Sequence, residues 1–232
     1  MKIISISGMI GSGKDTLALH LITNHGFIKG SFSKALKDCI SAVFGWDREL
    51  LEGITPEARA WRELPDRWWT ERLDIDVDIT PRWALQNFGT DAVRRHFHPD
   101  IWTAATERWL ADHKDKNIVF TDTRFFNEFT MLRSHGAKIL GVYRKTPKWL
   151  ESFYQKVDYY LVNLKADGVM HVDLTRPFYQ RLAVSSAMSA LRDIGVELHE
   201  SEALLLLWNR YDGIIDNTGK LTLATEKLET FL

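Results

Sequence analysis

Cysteine is almost missing from these 232 residues: Cys39 stands alone, so no disulfide framework exists and the chain suits a reducing compartment. Long apolar runs are missing too, the longest, Ala203 to Trp208, falling far short of the roughly 20 residues that span a bilayer. No signal-like segment precedes the first apolar run, and the expectation is a soluble, cytoplasmic protein without a membrane partner. Excess charge of either sign is absent, the formal net being −1, which lacks the balance of a polyanion binder. The eight His residues show no zinc-ligand spacing; His96 and His98, two apart, diverge on a helix and read as surface or capping residues. Repeats, low-complexity tracts and evident linkers are also lacking, and the length suits one α/β domain with insertions.

What is present starts at the beginning of the chain. Ile3, Ile4 and Ile6 form a short β-branched run suited to a buried parallel strand. It ends at Gly8, which opens Gly8-x-x-x-x-Gly13-Lys14 with a further glycine at Gly11, the pattern of a phosphate-binding loop. Glycine is needed there because backbone N–H groups must turn inward around a phosphate, and a side chain would block that approach. Lys14 would reach the β- and γ-phosphates, and a helix starting near Lys14 aims its positive end at the same oxygens. The residue after the lysine is ordinarily Ser or Thr, a Mg²⁺ ligand; here it is Asp15, followed by Thr16. Asp15 reads either as a Mg²⁺ ligand, directly or through water, or as an acid complementing the helix dipole.

Further along, Asn24-His25-Gly26 stops the first helix, Phe27–Phe32 is a second strand, and Ser33 opens a helix closed by Gly45. Residues 46–80 hold four of the nine Trp residues, a composition open to base stacking. Residues 57–78 nevertheless carry seven acids against four arginines, which disfavours a nucleic-acid track. Asp74, Asp76 and Asp78 lack the glycine and glutamate of a calcium loop. The alternation Leu73, Ile75, Val77, Ile79 instead predicts a half-buried strand. Thr80-Pro81 starts a helix to about Phe97, on which Arg82, Gln86, Gly89 and Thr90 share one face and Leu85, Phe88 and Ala92 the core side. Gly89 in mid-helix costs about 1 kcal/mol against Ala, so something is expected to approach that face closely, a nucleotide being one reading and a tolerated glycine the other.

Pro99-Asp100 opens a helix with Trp102 on its apolar stripe, where core packing and base contact are both open. Asn117–Thr121 is a third strand that delivers Asp122 and Arg124 to the carboxyl edge, where open α/β sheets bind ligands. Apolar residues followed by Asp downstream of a phosphate loop fit the second acidic, Mg²⁺-holding site. Ala137–Tyr143 is a fourth strand running into Arg144. Residues 145–198 then interrupt the alternation with a hairpin around Asp167-Gly168 and a helix from Phe178 to Ile194. Ser201 starts a short apolar helix, Gly213–Asn217 is a fifth strand and Leu221–Phe231 a closing helix.

The stretch from Gly8 through Gly13-Lys14-Asp15-Thr16, then Arg82-x-x-x-Gln86-x-x-Gly89-Thr90-Asp91, Trp102 and Asp122-x-Arg124-x-x-x-Glu128, resembles the bacteriophage deoxynucleoside monophosphate kinases. His199-x-Ser201-Glu202 and Asp216-Asn217-x-Gly219 fit as well, so the resemblance spans most of the chain. It implies an α/β fold of the P-loop nucleoside-monophosphate-kinase type, a five-stranded parallel sheet flanked by helices. Residues 1–32, 99–145 and 196–232 would form the core, 33–98 a helical monophosphate-binding insertion and 146–195 a lid-like insertion, all within one structural domain. It further implies Gly11, Ser12, Gly13, Lys14, Asp15, Thr16, Arg144 and Asn217 for ATP, and Asp15 and Asp122 for Mg²⁺. Arg82, Gln86, Gly89, Thr90, Trp102, Arg124 and Glu128 would hold the monophosphate, with Lys14, Asp15, Asp122 and Arg124 catalytic. ATP and a deoxynucleoside monophosphate would be the partners, in a host cytoplasm if the gene is a phage's, and a homodimer stays open. The competing readings are a P-loop kinase for another small metabolite and a non-catalytic nucleotide-binding or DNA-handling protein.

Overall fold

The computed structural model describes residues 1–144, 148–157, 177–198 and 211–232. Ile3–Ser7 (β1) is buried at every position, as a central strand covered on both faces requires. It pairs in parallel with Asn117–Phe120 (β3) on one side and Lys138–Tyr143 (β4) on the other. Phe27–Gly30 (β2) adds to β3 and Gly213–Asp216 (β5) to β4, giving a parallel sheet of order β2-β3-β1-β4-β5. The five strands match the expected ones to within two residues at each end.

Helix Lys14–His25 (α1) and the closing helix Leu221–Glu229 cover one face of the sheet. Leu17, Ala18, Leu21, Ala224 and Leu228 pack there with Ile4, Ile6, Val119, Leu140, Val142 and Ile215. Phe129, from helix Phe126–Ser134, packs with Ile139 and Tyr211. In the long insertion, residues 150–157 are helical and pack Phe153 and Val157 against Ala187, Ala190 and Leu191 of helix Pro177–Asp193. The expected hairpin around Asp167-Gly168 and the helix from Ser201 lie outside the described residues.

Two compact units are present, Met1–Gly30 with His113–Leu232, and Ser31–Asp112. The second unit is helical, and its core is aromatic. Leu36, Ile40, Trp46, Leu51, Ile79, Ala84 and Trp102 are buried, with Trp61, Trp69 and Trp83 packed against them. Trp46 stacks on Phe44 at 4.3 Å and its indole N–H donates to Asp66 at 2.7 Å, while Trp69 donates to the Phe44 carbonyl at 3.1 Å. Most of the tryptophans in this stretch therefore form a core; Trp68 is the exposed one.

One expected element is overturned. Leu73, Ile75 and Val77 are exposed and belong to no strand. Helix Arg67–Leu73 ends at Asp74 in the left-handed region (φ 48°), and the segment then runs irregularly to Ile79, whose N–H is taken by the Thr70 hydroxyl at 2.9 Å. Alternation alone does not make a strand without a partner edge. The helix from Thr80-Pro81 is capped as its sequence requires, the Thr80 hydroxyl accepting from Trp83 N at 3.0 Å. After Gln86, however, Asn87–Phe97 winds as a π-helix, its end marked by the i→i−5 bond from His98 N to Val93 O at 3.1 Å. That wider winding dissolves the 3.6-residue spacing on which the predicted common face depends.

Candidate active site

The loop after β1 has the backbone a phosphate cradle needs. Gly11 and Gly13 adopt φ +81° and +92°, which L side chains rarely do, and a Cβ at Gly8 would come within 2.3 Å of the Val142 carbonyl. Ser12 is buried, and among the described residues its hydroxyl has no hydrogen-bond partner. A buried orphan donor in an N–H-lined loop suits an anionic oxygen ligand. α1 starts at Lys14, with Leu17 N bonded to Gly13 O at 3.1 Å. Lys14 Nζ lies 3.6 Å from Asp15 Oδ2.

Asp15 reaches across to the neighbouring strand end. The Thr121 hydroxyl, one residue past β3, donates to Asp15 Oδ1 at 2.8 Å. Burial acts to raise the Asp15 pKa, but Lys14, the Thr121 bond and Lys29 outweigh it and hold the carboxyl below its ordinary value. Asp15 is thus a carboxylate at neutral pH, and together with Asp122 it offers the hard oxygen donors that Mg²⁺ takes. Thr121 was not evident as a site residue from the sequence; an unusual Asp after the lysine, needing a donor across the sheet edge, was the available signal.

Other expected site residues make contacts within the protein. Glu128 is buried, and its Oε2 accepts from Arg124 N at 2.7 Å and Phe125 N at 3.1 Å. It caps helix Phe126–Ser134 and fixes the backbone that carries Arg124. Asn217, expected among the ATP residues, is buried under the phosphate loop, where its Nδ2 donates to Ser12 O at 2.9 Å. Gly89 makes room for protein: a Cβ there would meet Leu36 Cδ2 at 2.6 Å. Gly89 and Thr90 are both buried, whereas Arg82 and Gln86 are partly exposed, so the four do not form one open surface. Gln86 ends its α-helix; Thr16 lies exposed in the first turn of α1; Arg144 lies exposed just past β4.

Trp102 sits in the core of the Ser31–Asp112 unit, and its indole N–H donates to Gly89 O at 2.9 Å. Packing is the role this geometry supports. Trp102→Phe is expected to lower stability by about 1–3 kcal/mol through the unpaired Gly89 carbonyl, while leaving kinetic constants for an acceptor unchanged. Thermal unfolding and steady-state kinetics check this; an unchanged melting temperature with a raised acceptor KM would make Trp102 a ligand contact instead.

The same unit gathers cations. Arg82 pairs through Nε with Glu63, and Arg82 N donates to Arg62 O at 2.9 Å. Arg62, one of the four arginines of residues 57–78, lies against Gly53, where a Cβ would meet its guanidinium carbon at 2.3 Å. Its Nε is buried without a hydrogen-bond partner among the described residues, and burial followed by the charge of Arg82 pushes its pKa down. Such a guanidinium is stabilised by an incoming anion.

A phosphate loop on the central strand of a five-stranded parallel sheet, with carboxylates at the sheet's carboxyl edge, defines a P-loop kinase fold. Among proteins of known sequence, a mimivirus protein (Acanthamoeba polyphaga mimivirus) provisionally named deoxynucleotide monophosphate kinase is 32% identical over 155 residues, 62% of this chain and 75% of the relative. The chain belongs to the family of that viral protein and is a nucleotide kinase. No family model matches it. Among solved structures, a sugar kinase from a Janibacter species aligns over 99% of this chain and 93% of its own at 13% identity and TM-score 0.35. The dephospho-CoA kinase of Campylobacter jejuni aligns over 99% and 95% at 16% identity and TM-score 0.38. Likeness this low adds nothing to the fold assignment, which rests on the sheet order and the loop.

Proposed function

We propose that this chain transfers the γ-phosphoryl group of ATP to a deoxynucleoside 5′-monophosphate, as the bacteriophage enzymes it resembles do. The observation that carries the reading is Asp15, standing where a hydroxyl is usual and tied to Thr121 beside Asp122 and Arg124. Family membership supports a deoxynucleotide as acceptor, since the viral relative's name specifies one. In the reaction an acceptor phosphate oxygen forms a bond to the γ-phosphorus as the bond to the β–γ bridging oxygen breaks, releasing ADP. The acceptor oxygen is already anionic, so no general base is needed, and alignment and charge stabilisation supply the catalysis. The phosphate loop and Lys14 hold the ATP phosphates; Arg124 meets charge that develops in transfer; Arg82 and Arg62 anchor the monophosphate. Mg²⁺, held through Asp15 and Asp122 directly or by water, would neutralise phosphate charge.

The test is ADP release by the full chain with ATP and Mg²⁺ across the common deoxynucleoside and ribonucleoside monophosphates. ADP formed with deoxynucleotides supports the reading, and ADP formed with other metabolites alone overturns it. Asp15→Asn is expected to lower turnover at least ten-fold, about 1.4 kcal/mol, and to raise the Mg²⁺ concentration required. Normal turnover with unchanged Mg²⁺ dependence would leave Asp15 as a helix-dipole residue.

A further inference from the structure

At the far end of α1 from the phosphate loop, three metal-ligating side chains converge. His20 and His25 lie on α1 and Glu229 on the closing helix, with one ligand atom from each lying within 4.8 Å of the others. Glu229 Oε1 is 2.9 Å from His20 Nε2 and 3.2 Å from His25 Nε2. The two rings are tilted to each other with centroids 5.4 Å apart. Both imidazoles are largely shielded and the carboxylate is half exposed, leaving a side open to water. Sequence spacing conceals this grouping, because its third member lies 204 residues beyond His25.

We propose that His20, His25 and Glu229 bind one Zn²⁺ ion, with water as fourth ligand, and that the ion clamps the closing helix to α1. Two imidazole nitrogens and one carboxylate oxygen form a donor set zinc accepts in four-coordinate sites. Zinc bonds of roughly 2.0–2.1 Å place neighbouring ligand atoms of a tetrahedron about 3.3 Å apart. The two distances to Glu229 are within a few tenths of an ångström of that edge, and the nitrogen–nitrogen gap, which is no more than 4.8 Å, has to narrow toward it when the ion binds. Asn24 is placed to act as an outer partner: its Nδ2 lies 2.9 Å from His20 Nδ1, and zinc at Nε2 requires the amide to turn over so that its oxygen accepts the Nδ1 hydrogen. The twelve residues of α1 put His25 roughly 16 Å from Lys14, clear of any nucleotide-bound magnesium. The role is therefore structural and independent of phosphoryl transfer.

The alternative on this geometry is a metal-free trio in which both imidazoles donate to Glu229, and the two give different results. The full chain, stripped with a chelator and free of nucleotide, is titrated with Co²⁺ and then Zn²⁺, and its melting temperature is followed with and without Zn²⁺. One equivalent of Co²⁺ giving the visible absorption of a tetrahedral site, displaced by Zn²⁺, is expected, with a higher melting temperature in Zn²⁺. Asn24→Ala should weaken binding about ten- to hundred-fold, and His25→Ala more than that. Glu229→Gln keeps a hydrogen-bond acceptor while removing the charge, and should lose the zinc effect although the chain stays folded. Equal melting temperatures with and without Zn²⁺, or Co²⁺ binding unaffected by His25→Ala and Glu229→Gln, would overturn the proposal. ADP release by the metal-stripped chain in Mg²⁺ is a separate readout, so failure of the zinc site and failure of the kinase reading are distinguishable.

Discussion

Arg124→Ala is expected to lower kcat by about 10²-fold or more, with kcat/KM falling in step. The reason lies in how the side chain is carried. Arg124 follows Asp122 past the end of β3, on the sheet edge that also bears the phosphate loop, and Glu128 pins its backbone N–H at 2.7 Å. A guanidinium on so fixed a base costs little reorganisation when charge builds on a transferring phosphoryl group. Arg82 is expected to behave otherwise. It lies in the helical unit, partly exposed and already paired with Glu63, so an incoming phosphate exchanges one anion for another. That is ground-state binding, and Arg82→Ala should mainly raise the acceptor KM while sparing kcat. Lysine should rescue either site poorly, because a point charge does not reproduce a bidentate fork. Steady-state kinetics with the monophosphate varied at saturating ATP separates the two. The reverse pattern exchanges the roles, and two folded variants with unchanged kinetics end the assignment.

Features decided by local chemistry were legible in the sequence. The β-branched run of β1, the left-handed glycines at Gly26 and Gly45, and the Thr80 cap each depend on a few adjacent residues, and each is found where the sequence puts it. Contacts across long sequence separations were not legible. Asp15 with Thr121 spans 106 positions and Asn217 with Ser12 spans 205, so no window of periodicity or spacing reports either. Gly89 shows the same limit: its missing side chain was visible, but Leu36 as the neighbour that requires it was not. The alternation at Leu73–Ile79 carried strand periodicity without an edge to pair with. Backbone pairing, which the pattern leaves unspecified, decided the outcome.

Gly13→Ala is expected to cost the larger part of ATP affinity, and Asn217 is the reason the effect exceeds simple backbone strain. Gly13 has φ +92°, and an alanine held there costs about 1–2 kcal/mol. The new Cβ would also lie 2.1 Å from Asn217 Nδ2, the atom that donates to Ser12 O. Asn217 has no easy retreat: it is buried, and its own backbone N–H is bonded to Tyr143 O at 2.8 Å. Displacing the amide leaves the Ser12 carbonyl without its buried donor, a further cost of about 1–3 kcal/mol. The sum, about 2–5 kcal/mol, corresponds to roughly 30-fold to several thousand-fold in affinity at 1.36 kcal/mol per decade. The exposed loop around Ile10 and Gly11 is the part free to deform, so the loss should fall on nucleotide binding more than on the melting temperature. Asn217→Ala alone should lose the Ser12 bond without the strain and weaken ATP less. Adding it to Gly13→Ala should relieve the clash and restore part of the affinity, leaving the φ penalty behind. Calorimetric titration with ATP, paired with thermal unfolding, measures each variant. If Gly13→Ala binds ATP as the unmodified chain does, the loop is not what holds the phosphates.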